Sequence, residues 1–417
     1  TGRITDDLMT IMVRDGRIEI GTGFNGNAAE SLSLLAKNFQ VNGQLNGNDL
    51  NLVGGQYDYN TSTKEIVKQG DNPNEVLVSA STVGSIYGQN IYLVAVGSDI
   101  GVKGDVISQK VLKINADGTV VTNRTQAKEN IDIKAKEYTQ EGSTYSEGKV
   151  RIEADKTTLK GSGTQTGELE VTGNLDNNTT VYSKGNVTVG GDVKSKGQLL
   201  SEGSLEVKGN LESENLVYGK DEIKVGKNLV NKSDMQSEND ISISGDVNNS
   251  GKILADRNLN IKGNTANQGT LYGKDSIRID KNLNNTGNIQ TSGALSAKDT
   301  INTGTIIAES NITTENLDNS GEVLTNEKLS TKNIDNRTSG KINTGKGISS
   351  SGNVVNQGTL NTNGDLTVSG NFENNNIVNA GGALTAKDVV NTGVLKVSDR
   401  IVSRGVTFTN SGEILTE

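Results

Sequence analysis

The sequence predicts an all-β chain wound as a right-handed parallel β-helix, a solenoid of about 18 residues per coil with three short strands in each. Three observations predict it. A glycine recurs at a near-constant interval. Branched aliphatic residues stand at two fixed distances from it. Asparagine stands two residues before it.

The recurring glycine appears as Gly251, Gly269, Gly287, Gly304, Gly321, Gly340, Gly358, Gly393 and Gly412, with Asn376 in the one remaining place. Each step to the next anchor is close to one coil length. Two residues after each anchor stand Ile253, Leu271, Ile289, Ile306, Val323, Ile342, Leu360, Val378, Leu395 and Ile414. Eight residues after the first nine anchors stand Leu259, Ile277, Leu295, Ile312, Leu329, Ile348, Leu366, Leu384 and Ile401. Chance does not fill two such columns in a chain that is only 32% hydrophobic. A looser column lies four residues before the anchor, where Thr265 and Thr300 interrupt the aliphatics.

Within each segment apolar and polar residues alternate, as in Leu259-Asn260-Ile261, and period two means strand. One coil cannot bury its apolar side alone, but coils stacked in register place like on like and share one core. Each buried aliphatic then contributes roughly 1.5–3 kcal/mol, so aromatic residues are not required. The roughly 23 coils, at ~4.8 Å each, imply an elongated rod.

The anchor glycine sits where the chain must turn sharply, and the reading assigns it φ > 0, which Asn376 also tolerates. Two residues before the anchors stand Asn249, Asn267, Asn285, Asn302, Asn319, Asn356, Asn374, Asn391 and Asn410, with Thr338 as the exception. Stacked coils put these amides in a column, each donating to the next, an internal asparagine ladder. The alternative is an asparagine row that binds sugar or ions.

The repeat continues backwards with weaker turns, around Asp234, Asn215, Gly197, Thr180, Gly161 and Gly142, so residues 123–417 read as one shaft. Residues 1–122 differ. Their strands are longer, as in Ile91-Tyr92-Leu93-Val94-Ala95-Val96. Residues 27–40 read as another coil, and residues 56–75, which hold the only proline, as a surface excursion without pattern.

Composition narrows the function. Net charge is −9 with the two signs mixed, so there is no basic stripe for nucleic acid. Without Cys or His there is no disulfide, no thiolate and none of the commonest metal ligand or general base. No apolar run reaches the ~20 residues of a membrane-spanning helix. A β-helix enzyme needs paired carboxylates or Ca²⁺-binding acids on one face. Asp256, Asp275 and Asp299 lie near a turn, but Arg257, Lys274 and Lys298 stand beside them, as on a solvated face. Neither a GxGxxG fingerprint nor a P-loop occurs. The reading is therefore not an enzyme: no catalytic residue, no metal and no cofactor.

Residues 13–59, VRDGRIEIGTGFNGNAAESLSLLAKNFQVNGQLNGNDLNLVGGQYDY, resemble the later part of the amino-terminal secretion domain of two-partner-secretion exoproteins. That family includes filamentous haemagglutinin and the contact-dependent growth-inhibition exoproteins. Residues 81–106, STVGSIYGQNIYLVAVGSDIGVKGDV, resemble the closing segment of that domain, and KINADGTV, residues 113–120, the junction to the haemagglutinin repeats. The resemblance implies two regions: 1–122 as the end of the secretion domain and 123–417 as a haemagglutinin-repeat shaft. Asn72-Pro73-Asn74 has the letters of a family motif but stands in the wrong place, so nothing is carried over to it.

The resemblance further implies a secreted cell-surface stalk, used for adhesion or contact-dependent toxin delivery and exported by an outer-membrane POTRA-barrel transporter. A receptor on a host or neighbouring cell would be met through regions outside this segment. Absence of Cys suits such export, since no periplasmic disulfide can trap the chain. Two other readings stay open: a carbohydrate-active β-helix enzyme, and a type V autotransporter passenger.

Overall fold

Three apolar-centred segments in every coil leave no length for a helix, and none forms among the described residues. The computed structural model describes residues 2–4, 10–63, 65–70 and 75–416. They build parallel β-solenoid coils in two units, Thr1–Gly209 and Asn210–Glu417.

In the second unit each coil has three strands, for example Asn258–Ile261, Thr265–Asn267 and Thr270–Gly273. They belong to three parallel sheets, here called first, second and third. The register is strict: Leu259 lies between Ile241 and Ile277, and Leu271 between Ile253 and Ile289. This stacking follows from the period-two alternation, because a slip of one residue would turn every aliphatic outward. Both sequence columns are buried, from Ile253 to Leu395 and from Leu259 to Leu384. Thr265 and Thr300, the breaks in the looser column, also point inward.

One expectation is corrected. None of the anchor glycines from Gly251 to Gly412 has positive φ; of the weaker earlier turns Gly161 does, and the other left-handed glycines are Gly16, Gly23, Gly55, Gly97, Gly163 and Gly347. What excludes a side chain at the anchor is the coil before it. A Cβ on Gly269 would lie 1.9 Å from the Gly251 carbonyl oxygen. The remaining anchors after it are packed in the same way, except that Gly340 also meets Asn336 of its own coil. Asn376 is accommodated by a local change: its N–H bonds the Asn374 Oδ1 at 3.3 Å, and its side chain reaches the Gln357 carbonyl at 3.1 Å.

In the first unit the strands Asp99–Ser108, Thr119–Ala127 and Glu137–Ser146 run through the corner between the second and third sheets without ending. They bend there by slips of register, between Val102 and Asp105 and between Thr122 and Arg124. Long strands thus persist beyond residue 122. The interior they enclose is partly polar. Tyr138 is fully buried and its hydroxyl lies 2.9 Å from Thr122 Oγ1, while Thr125 and Thr144 pair at 2.9 Å.

Residues 27–40 supply the coil strands Ser31–Ala36 and Asn38–Val41. The excursion is ordered where it is described. Tyr57–Asn60 and Glu65–Gln69 form an antiparallel hairpin that joins Thr10–Val13 and Gly2–Ile4 in a four-stranded sheet. Its tyrosines anchor it. Tyr57 donates to the Val53 carbonyl at 2.6 Å and meets Tyr59 edge-on at 6.5 Å, over Val13 and Val96. Asn72, Pro73 and Asn74 lie outside the described residues.

Candidate functional site

The asparagine column occupies the corner between the second and third sheets of the second unit. Asn249 Nδ2 donates to Asn267 Oδ1 at 2.8 Å, to the Gly251 carbonyl at 3.1 Å and to the Thr270 carbonyl at 3.1 Å. The same set recurs from Asn267 to Asn285, Asn302 and Asn319, and from Asn356 through Asn374 and Asn391 to Asn410. Between these runs Asn336, not Thr338, holds the place, accepting from Asn319 at 2.9 Å and donating to Asn356 at 2.7 Å. The corner 336–340 contains two extra residues, which displace the glycine relative to the asparagine. Spacing counted back from Gly340 therefore lands on Thr338.

Asn231 heads the run, donating to Asn249 at 2.8 Å, while its own Oδ1 has no partner. From Asn231 to Asn391 these residues are at most 1% exposed. The amides add a second bond to corner carbonyls that already take a backbone N–H, as Gly251 does from Thr270 at 2.9 Å, and their remaining contacts are with one another. Each such bond is worth about 0.5–1.5 kcal/mol net, and a stranded buried partner costs about 1–3 kcal/mol. Enclosed in this way they offer no face to a sugar or ion.

The first unit carries counterparts that the spacing does not reveal. Asn177 donates to Ser195 Oγ and to the Gln198 carbonyl, both at 3.0 Å. Gln140, in register with Leu159 and through it with Asn177, reaches further. Its Nε2 meets the carbonyls of Gly142, Lys160 and Gly163, and its Oε1 accepts from Thr164 at 2.9 Å.

Aspartates and asparagines on the outer corners form further staircases. Asp246 N–H donates to Asn228 Oδ1 at 2.9 Å, and Asp246 Oδ1 accepts the Asn264 N–H at 2.7 Å. These acids cap backbone amides of the next coil. Of the acids singled out by sequence, Asp275 pairs with Arg257 at 3.6 Å and Asp299 accepts from Asn316 at 2.6 Å. Among the described residues no group of three or more acidic side chains could hold a metal ion.

Charges on the first sheet of the first unit pair across coils. Lys149 bridges Glu168 at 3.2 Å and also bonds Glu170. That hydrogen bond holds Glu170 below the usual carboxylate range and raises Lys149.

Concavities lie on both units, among them one of about 390 Å³ in the first unit beside Asp117, Lys134, Lys136 and Glu153. In the second unit a trough of about 550 Å³ follows the corner after the first sheet. Its cause is a shortening of three successive coils. Leu295 to Thr300, Ile312 to Leu317 and Leu329 to Ile334 each span five residues, where Ile277 to Leu283 spans six. Ala297, Thr314 and Thr331 then stand where Ile279 fills the regular corner, and the wall sinks. Lys298, Glu315 and Lys332 line it in alternation. In the first unit a saddle of about 270 Å³ lies between Tyr145 and Tyr182.

Comparison with known proteins yields similarity over part of the chain. The 16S rRNA endonuclease CdiA of Enterobacter cloacae subsp. cloacae is 27% identical over 150 residues, 35% of this chain and 4% of that protein. The tRNA nuclease CdiA of Escherichia coli (strain NC101) is 24% identical over 162 residues, 38% of this chain and 5% of the relative. The tRNA nuclease CdiA of Yersinia mollaretii is 25% identical over 208 residues, 46% and 7% respectively. The chain thus spans less than a tenth of the length of the curated relatives it matches. No family model matches, and no solved structure matches. The similarity reaches the level of CdiA contact-dependent inhibition exoproteins and no finer.

Proposed function

We propose that this segment is a β-helical stalk of a contact-dependent inhibition exoprotein, secreted to the bacterial cell surface through an outer-membrane POTRA-barrel transporter. There it holds a distal adhesive or toxin-bearing region away from the cell. The observation that carries the reading is the uninterrupted register of the second unit, where coil after coil repeats the same buried column and the same amide bond. Part-length similarity to CdiA proteins supports it. Such coils need no cofactor and no partner to close their cores, so each can fold on the one before it as the chain emerges. No helix among the described residues is long and apolar enough to cross a membrane, and the reading places none in this segment.

Catalysis is assigned no place here, and the nuclease names belong to the relatives. Antibody labelling of intact cells tests the export route. The segment is expected at the surface of cells that carry the cognate outer-membrane transporter and inside cells that lack it. Surface labelling that is indifferent to the transporter would overturn this reading. Release of unsaturated oligosaccharide from pectin or alginate by the purified chain would overturn the non-catalytic assignment.

A further inference from the structure

In the first unit the outward-facing columns of two sheets differ in kind. On the first sheet, successive coils present Lys113, Asp132, Arg151 and Glu170. On the third sheet they present Ile107, Gln126, Tyr145, Gln165, Tyr182 and Leu200, without a charge. At its start the column is flanked on the same strands by the paired Asp105 and Arg124, the latter bonded to Gln126; from Tyr145 on, the lining is uncharged. The middle of the column is the saddle between Tyr145 and Tyr182.

The saddle is built from beneath. Gly163, with φ of +128°, forms the floor, and a Cβ there would come within 2.9 Å of the Thr180 carbonyl oxygen. Gln140, fully buried, holds that floor through the Gly163 and Lys160 carbonyls at 3.1 Å each. Ser143 and Ser162 add hydroxyls at the sides. Above the floor, Tyr145 and Tyr182 are half-buried and Gln165 between them is exposed. The tyrosines are two coils apart, about 9–10 Å.

We propose that this saddle binds a linear neutral polysaccharide laid along the coil axis. A tyrosine ring offers its face to the C–H face of a pyranose and its hydroxyl to the ring substituents. An amide between two such rings supplies a donor and an acceptor side by side, the match for adjacent sugar hydroxyls. An extended pyranose unit is about as long as a coil is high, so ring, amide and ring meet successive sugars. Without charges the site neither attracts an anionic chain nor forces a charge to lose its water.

The test is calorimetry of the full 417-residue chain against neutral linear hexasaccharides: β-1,4-glucan, β-1,4-linked N-acetylglucosamine and α-1,4-glucan. Saturable binding of at least one, in the millimolar range or tighter, is expected. The double variant Tyr145→Ala/Tyr182→Ala should weaken it at least about tenfold. Thr158→Ala, on the outward side of the second sheet, should leave it unchanged. Gln165→Lys, at an exposed position that cannot disturb the core, should weaken it several-fold and serves if the double variant does not fold. The proposal is overturned if no member of the panel binds, if a folded double variant or Gln165→Lys binds as well as the parent, or if polygalacturonate binds more tightly than every neutral chain. It is likewise overturned if the double variant abolishes self-association and changes no sugar binding, which would make the column a contact between copies.

Discussion

The corner between the second and third sheets is made in two ways. In the coils of residues 99–146 the strand passes through it, bends by a register slip and surrounds a wide interior where Thr122, Thr125, Tyr138 and Thr144 bond one another. From Asn231 to Asn410 the strand stops, and one asparagine per coil closes the gap. The difference teaches that a polar interior can be satisfied laterally, within a few neighbouring coils, or axially, by passing one bond from coil to coil. The lateral solution tolerates varied residues but needs each network to be complete. The axial one admits a single residue type but repeats without limit.

Five variants press on this contrast. The largest effect is expected from Ile306→Asp, in the narrow coils. Ile306 is 1% exposed, and its place offers a carboxylate no partner, so a loss of several kcal/mol should appear as a lower denaturant midpoint. Next comes Asn302→Ala. It strands the Asn319 acceptor and takes one bond each from the Asn285 amide and the Gly304 and Glu322 carbonyls, for roughly 3 kcal/mol in all. Asn177→Ala loses the bonds to Ser195 and the Gln198 carbonyl and strands the Thr179 N–H, so it should cost somewhat less, about 2 kcal/mol. Equal losses measured for the two would mean that a continued column adds nothing beyond a single coil-to-coil bond.

Tyr138→Phe tests the wide coils alone and should cost about 1 kcal/mol through the lost bond to Thr122. The same residue predicts a pH dependence. Burial raises the Tyr138 phenol above its usual value, against the opposing hydrogen bonds from Thr122 and Thr144. Since the folded pKa lies above the unfolded one, its contribution is complete below pH of about 10 and is lost as pH rises further. Tyr138→Phe should flatten that alkaline limb in a stability-versus-pH series, and an unchanged limb would assign it to other groups. The smallest effect is expected from Lys298→Asp on the trough wall, within about 0.5 kcal/mol. A loss comparable to that of Ile306→Asp would mean that the assignment of inward and outward faces is wrong.

The sequence by itself determined the coil. Period-two alternation and the even interval between anchors leave one arrangement that buries Leu259 on Ile277 and Leu271 on Ile289, because burial is additive and every coil needs its neighbours to achieve it. Tertiary structure decided what happens at the corners, where contacts come from residues a full coil away. The anchor glycine is required by the carbonyl of the preceding coil at 1.9 Å, as at Gly269, and not by its own dihedral angles. Asn336 rather than Thr338 continues the column, because stacking aligns side chains by height along the axis and not by distance from a glycine. Gln140 and Asn177 serve the same corner in coils whose spacing is irregular, so no periodicity announced them. The saddle of Tyr145, Gln165 and Tyr182 likewise has no motif in the sequence, since its members belong to three different coils and become neighbours only when those coils stack.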